Sequence, residues 1–192
     1  MTVRLLAFSA STRVASFNSK LIAVGAQAAR DAGAEVTLID LLDYELPLYN
    51  GDLEARDGLP EAAARLQQQF AAHHGLLLST PEYNGMFPPL LKNTLDWVSR
   101  ADASGQSGLR FLEGKVAGLL SASPGALGGL RSLIASRQYL TNLGFLVIPQ
   151  QQAVGGAGQA FGEGGALVEA RTQAGVEKVA HALVRIARQT QE

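Results

Sequence analysis

The sequence contains no cysteine. Disulfides, iron–sulfur clusters, Cys-based zinc sites and thiol nucleophiles are therefore excluded. It also lacks an excess of either charge. The 16 basic and 17 acidic residues leave a net charge of −1, which offers no electrostatic footprint for nucleic acid or an anionic membrane. Long apolar runs are missing too; none approaches the roughly 20 residues that a membrane helix requires. The run Leu5 to Phe8 is too short for a signal h-region, and no cleavage site follows it. Two nucleotide-binding signatures are absent, G-x-G-x-x-G and the Walker lysine with its glycines. These absences point to a soluble cytoplasmic protein with no nucleic-acid or membrane partner.

What is present suits one domain spanning 1–192, because domains run roughly 100–200 residues. Hydrophobic residues make up 47% of the chain, and a chain this size buries roughly 70% of its unfolded surface. Four short apolar runs, Val3–Ser9, Glu35–Asp40, Gly75–Ser79 and Val116–Ser121, read as strands. A weaker fifth is Phe145–Ile148. None alternates cleanly, as expected when helices cover both faces of a parallel sheet. Between them lie helical patterns of period 3.6 at Ser16–Ala32, Pro60–His73, Pro88–Arg100, Leu127–Asn142 and Ala166–Gln189. Leu41–Leu59 and Pro149–Gly165 read as loops. Strand and helix alternate five times, which implies an α/β domain with a parallel sheet and right-handed crossovers.

In an open parallel sheet, ligands sit beyond the carboxyl ends of the strands. Three loops fall there. The first, Ser9–Asn18, holds four hydroxyls, Arg13 and Asn18, and opens a helix whose N-terminus favours an anion. Its six donors together favour a terminal phosphate site, whereas Ser16 taken alone reads first as a helix cap with Arg13 solvated. The second, Ser79–Pro89, is dense in turn formers and aromatics. Gly85 there allows close backbone approach, so the loop suits the edge of a planar ring or an ordinary strand-to-helix turn. The third, Ser121–Gly129, has glycines that either clear space for a flat heterocycle or serve helix–sheet packing. Asp40 ends the second strand, where a dinucleotide-binding fold would hold a ribose; without the glycines it reads as a structural or loop-start residue. His73, His74 and His181 have no companions at ligand spacing, so no metal site is expected.

Together these loops resemble the NADPH-dependent FMN reductase family, which includes quinone, azo-dye and chromate reductases. Ser11, Arg13, Ser16 and Asn18 match its G-S-x-R-x-x-S-x-N phosphate loop. Pro81-Glu82-Tyr83-Asn84, Pro88 or Pro89, Leu91-Lys92-Asn93 and Asp96-Trp97 match a long second motif in order, and Ser121–Gly129 matches a third. The resemblance spans nearly the whole chain. It implies a flavodoxin-like three-layer α/β sandwich with a five-stranded parallel sheet in the order 2-1-3-4-5.

The resemblance also implies bound FMN, with NADPH or NADH as co-substrate. The cofactor-binding residues carried over are Ser11, Arg13, Ser16, Phe17, Asn18, Pro81, Glu82, Tyr83, Asn84, Gly85, Ser121, Ser123 and Gly125. Those from Pro81 to Gly85 would act largely through backbone. The implied activity is ping-pong transfer of hydride through FMN to a small-molecule electron acceptor, in a homodimer or homotetramer, with no catalytic side chain. Ala10 stands where the family usually has Gly. Met86 and Phe87 replace smaller or more polar residues, which implies a more apolar rim. The alternative is a flavodoxin-type electron carrier, which the near-neutral charge and Arg13 disfavour.

Overall fold

Leu5 to Phe8 and Leu76 to Leu78 are fully buried, and that burial is the basis of the architecture. Each such side chain contributes about 1.5–3 kcal/mol when covered, and a strand with two apolar faces needs a helical layer on each. The computed structural model describes residues 2–191. It has a five-stranded sheet in the order β2-β1-β3-β4-β5, formed by β1 (Arg4–Ser9), β2 (Glu35–Ile39), β3 (Gly75–Ser79), β4 (Val116–Ala122) and β5 (Leu146–Val154). All four pairings are parallel. The expected flavodoxin-like sheet and its strand order are thus the observed ones.

The helices are α1 (Phe17–Asp31), α2 (Gly51–Asp57), α3 (Glu61–Ala72), α4 (Pro89–Val98), α5 (Leu130–Asn142), α6 (Ala157–Ala160) and α7 (Ala170–Gln189). Leu5, Ala7 and Leu77 pack with α1 and α7 in one core, while Leu6, Phe8, Leu76 and Leu78 pack with α3, α4 and α5 in the other. Alternate strand residues therefore feed opposite layers, as the pleat requires.

Three segments depart from the sequence expectation. β5 continues past Pro149 to Val154. Ala117 pairs with Val147 but Leu119 pairs with Gln151, so the edge strand gains two residues in a bulge, where a proline without an N–H is tolerated. Arg137 on α5 staples that bulge, donating to the carbonyls of Val147 (3.3 Å) and Ile148 (2.8 Å) and to Gln151 Oε1 (2.9 Å). Second, α5 begins at Leu130 rather than Leu127, because Gly128 and Gly129 both take left-handed φ values of 61° and 88°. A Cβ on Gly129 would lie 1.9 Å from Ser121 Oγ.

Third, the 41–59 connection contains a 3-10 turn (Leu41–Tyr44) and α2. Asn50 caps α2, and Glu54 on α2 meets Arg100 Nε at 2.9 Å. The same connection is pinned at Pro47, whose carbonyl accepts from Trp97 Nε1 (2.8 Å) and Asn93 Nδ2 (2.9 Å). Trp97 is therefore a core residue, fully buried.

Candidate functional site

The loops after β1, β3 and β4 end at one edge of the sheet and are bolted to each other. Asn18 is the first bolt. It is buried, its Oδ1 accepts from Ser79 Oγ (2.9 Å) and from the Ala122 N–H (3.0 Å), and its Nδ2 donates to the Ala122 carbonyl (2.9 Å). One amide thus ties the start of α1 to the ends of β3 and β4. Ser121 is the second bolt; its buried hydroxyl donates to the Thr80 carbonyl at 2.7 Å. The expectation that the Asn18 amide joins the phosphate donors gives way to this geometry. Its hydrogen bonds are made inside the protein, and what it offers a ligand is the position of its loop.

Glu82 is the third bolt. The N-cap of α5, Gly129, has no side chain to satisfy the first helical N–H groups. Glu82 reaches across and accepts from the N–H of Arg131 (3.1 Å) and of Ser132 (3.4 Å), and from Arg131 Nε (2.6 Å). Ser132 Oγ donates to the Pro81 carbonyl at 2.9 Å. The Arg131 guanidinium, followed by these backbone donors, holds the Glu82 carboxyl below its ordinary range. A carboxylate here also complements the positive end of α5. Glu82 is therefore a remote helix cap, and sequence inspection offers no signal for a pairing across 49 residues.

The remaining expected residues divide between buried and exposed positions. Ser11 is buried beneath its loop, whereas Thr12, Arg13, Val14 and Ala15 are exposed. Among the described residues Arg13 forms no ion pair. Ser16 caps α1, its Oγ accepting from the Ser19 N–H at 3.3 Å, so the cap reading holds for its side chain. The N–H groups of Phe17 and Asn18 open α1 and have no intrahelical partner. The Phe17 ring stacks on Phe161 with centroids 6.2 Å apart and planes 6° apart, a contact that the sequence reading missed.

In the second loop, Tyr83 and Met86 exchange both backbone hydrogen bonds, at 2.9 and 3.1 Å. Asn84 (φ 53°) and Gly85 (φ 84°) form the two-residue turn between them. Both centres are left-handed, as in a type I′ hairpin, for which Asn-Gly is the favoured pair; that dipeptide was the available signal. Tyr83 and Met86 are about half exposed, and Leu127 in the third loop is 54% exposed. Phe87 is stacked on Tyr139 at 4.9 Å. Ala10 is accommodated by burying its methyl in the second core. In the third loop Ser123 Oγ accepts from the Gly125 N–H at 3.3 Å, which leaves Gly125 at an exposed bend.

This donor set fits a flavin mononucleotide. An unpaired guanidinium and the open N–H groups of a 15-residue helix match a terminal phosphate. The I′ hairpin at Asn84-Gly85 and the exposed bend at Gly125 supply backbone groups on the two neighbouring loops, a chemistry that suits the polar edge of a planar ring. Residues 3–159 match the sequence profile of the family described as NADPH-dependent FMN reductase. The chain belongs to the NADPH-dependent FMN reductase family. It is 36% identical over 143 residues to an NAD(P)H-dependent FMN reductase of Pseudomonas aeruginosa, covering 73% of this chain and 71% of that one. It is 35% identical over 158 residues to a quinone reductase of Pseudomonas putida, covering 82% and 80%. Among solved structures, a flavoenzyme NAD(P)H:(acceptor) oxidoreductase from Paracoccus denitrificans superposes with a TM-score of 0.81 at 24% identity, covering 98% of this chain and 99% of that one.

Proposed function

We propose that this family member binds FMN across the three loops and uses a nicotinamide coenzyme to reduce a small acceptor, of the kind its quinone-reductase relatives are named for. The observation that carries the reading is that the loops after β1 and β3 present an exposed Arg13 just before the start of α1 and an I′ hairpin at Asn84-Gly85. Arg13 and the N–H groups of Phe17 and Asn18 would hold the phosphate. Backbone donors at Asn84 and Gly85, together with the Ser123–Gly125 bend, would hold the ring. FMN held by these residues would supply two-electron chemistry between the coenzyme and the acceptor. The protein's part is positional and electrostatic: fixed N–H groups stabilise negative charge at the ring edge without reorganising.

The apolar rim of Tyr83, Met86 and Leu127 suits a flat organic acceptor and keeps bulk water thin over the opening. Coenzyme and acceptor share that opening, so turnover alternates between them in ping-pong order. The protein is further proposed to be a cytoplasmic homo-oligomer. No described helix is long and apolar enough to cross a membrane. The outer face of α5 leaves Leu130 and Ile134 exposed, at 38% and 59%, one turn apart. Steady-state kinetics with NADPH and a benzoquinone test the reading. Parallel double-reciprocal lines are expected; intersecting lines reject the shared opening, and absence of turnover with bound FMN rejects the activity. Light scattering on the eluting peak reads the subunit count.

A further inference from the structure

A cavity of about 590 Å³ lies beside α3, between that helix, the end of α2 and the segment that follows α4. Its size is usual for a small-molecule site. Both α3 and α4 run toward the amino edge of the sheet, so the walls at Gln67–Ala71 and Ala101–Ala103 lie toward the edge opposite the flavin loops. Those walls are apolar: Leu59, Ala64, Ala71, Ala101, Ala103 and Phe111. Ala64, Gln67 and Ala71 are spaced three and four apart along α3 and so share one face. Gln67 is the polar group among them, and the residue is only 3% exposed. Its Nε2 donates to the carbonyls of Val98 (3.0 Å) and Arg100 (2.9 Å), which caps the end of α4 and fixes the sense of the amide. Its Oε1 accepts no hydrogen bond among the described residues. Unlike the hydroxyls of Ser9 and Ser136, that oxygen is not sealed from solvent. A buried acceptor without a donor is costly, and folded proteins nearly always supply one.

We propose that this cavity binds an aromatic alcohol, and that its natural occupant is the quinol the enzyme releases. The second half of that statement rests on the quinone-reducing function proposed above. The ligand must bring a hydrogen-bond donor to Gln67 Oε1 and an apolar body to the alanine, leucine and phenylalanine walls. It must also be neutral or nearly so. No lysine or arginine lines the cavity, whereas Glu54 and Asp102 both do, so an anion is repelled. A cation gains little, because those carboxylates are already engaged. Glu54 accepts from Arg100 Nε at 2.9 Å and from the Tyr49 hydroxyl at 3.0 Å. Asp102 accepts from Ser104 Oγ at 2.6 Å and is paired with Arg110. Two electrons and two protons turn each carbonyl of a quinone into a hydroxyl. The oxidised acceptor offers only acceptors, and its carbonyl would set lone pair against lone pair at Gln67. The quinol offers donors. One fixed oxygen therefore distinguishes product from substrate, while the exposed Gln68 at the mouth turns its amide to serve a second oxygen of either kind.

The test is calorimetry on FMN-loaded protein with 2-naphthol and 2-methoxynaphthalene, which share a shape but of which only the first donates. Leaving a buried acceptor unpaired corresponds to roughly tenfold or more in affinity, so the ether is expected to bind at least that much more weakly. Ala71→Trp fills the cavity from an exposed helix position. It is expected to abolish naphthol binding and leave kcat and KM for a benzoquinone unchanged. Gln67→Leu also uncaps α4, so its melting temperature is followed in parallel; where it folds, the two probes are expected to bind equally. Equal affinities in wild type would overturn the proposal. Naphthol binding that survives Ala71→Trp and competes with the benzoquinone would place the ligand on the flavin and overturn it too. Without oxygen and with reduced FMN, 1,4-naphthalenediol is expected to occupy one site more in wild type than in Ala71→Trp, and equal stoichiometry would refute the quinol assignment. Protein that takes up no FMN would sink the flavin reading alone. Naphthol binding lost in Ala71→Trp would then still support the aromatic-alcohol site, and its absence would refute it.

Discussion

Replacing Glu82 with alanine removes the cap of α5 and the bolt between the second and third loops in one change. Its magnitude can be assembled from the contacts. A lost N-terminal cap costs about 0.5–2 kcal/mol. The ion pair adds less, because the Arg131 side chain is 62% exposed and exposed pairs contribute about 0–1 kcal/mol. The sum is about 2 kcal/mol, and at about 2–4 °C per kcal/mol for a chain of this size the melting temperature should fall by about 4–8 °C. Arg131→Ala keeps both backbone bonds and should cost less than half as much. Differential scanning calorimetry on both variants reads the comparison. Glu82→Ala melting within 1 °C of wild type, or Arg131→Ala matching it, would refute the cap assignment. The pH dependence gives a second check. The folded-state carboxyl is held below its ordinary value of about 4.5, so its contribution is fully present above that pH. It is lost as pH falls through the folded value, and wild type and Glu82→Ala should converge in acid.

Arg13→Ala should weaken FMN binding by roughly 1.5–3 kcal/mol, the worth of a charged hydrogen bond; flavin fluorescence titration reads it, and unchanged affinity rejects the phosphate role. Gly85→Val places a β-branched residue at φ 84° and should disrupt the I′ hairpin, so purified protein ought to lose its flavin; a variant that still purifies yellow counts against that loop. His73 is buried, with Nε2 2.7 Å from Thr37 Oγ1 and Nδ1 2.6 Å from the Gln69 carbonyl. Burial, then the nearby Arg4 and Lys115, push its pKa below the usual 6.5. Its contribution is present above about pH 6.5 and lost as pH falls through the folded value. Urea midpoints should therefore drop between pH 7.5 and 5.5 more for wild type than for His73→Gln, and equal drops would refute this.

The strands with two buried faces were legible as continuous apolar runs, and Gly75–Ser79 was read to the residue. What hid from inspection was set by partners distant in the chain. The end of β5 depends on Arg137 satisfying carbonyls at a bulge that a proline would otherwise seem to terminate. The start of α5 depends on two left-handed glycines and on a cap from Glu82. A seven-residue helix such as α2 buries no side chain and shows no periodicity to find. In the site, local chemistry was readable at Ser16 and in the outward-facing Arg13. The inward roles of Asn18, Glu82 and Ser121 were not, because each is defined by an acceptor or donor on another loop. Asp40 was read as a loop-start residue, and its side chain caps the turn that begins at Leu41.

FMN is proposed to lie across the loops that carry Arg13, the Asn84-Gly85 hairpin and the glycine bend at Gly125. An anaerobic visible spectrum of the purified protein, reconstituted with FMN and then mixed with NADPH or NADH, tests this most directly. Oxidised-flavin bands that persist through gel filtration and bleach on adding coenzyme are the predicted result. Protein that elutes colourless after incubation with FMN would contradict it.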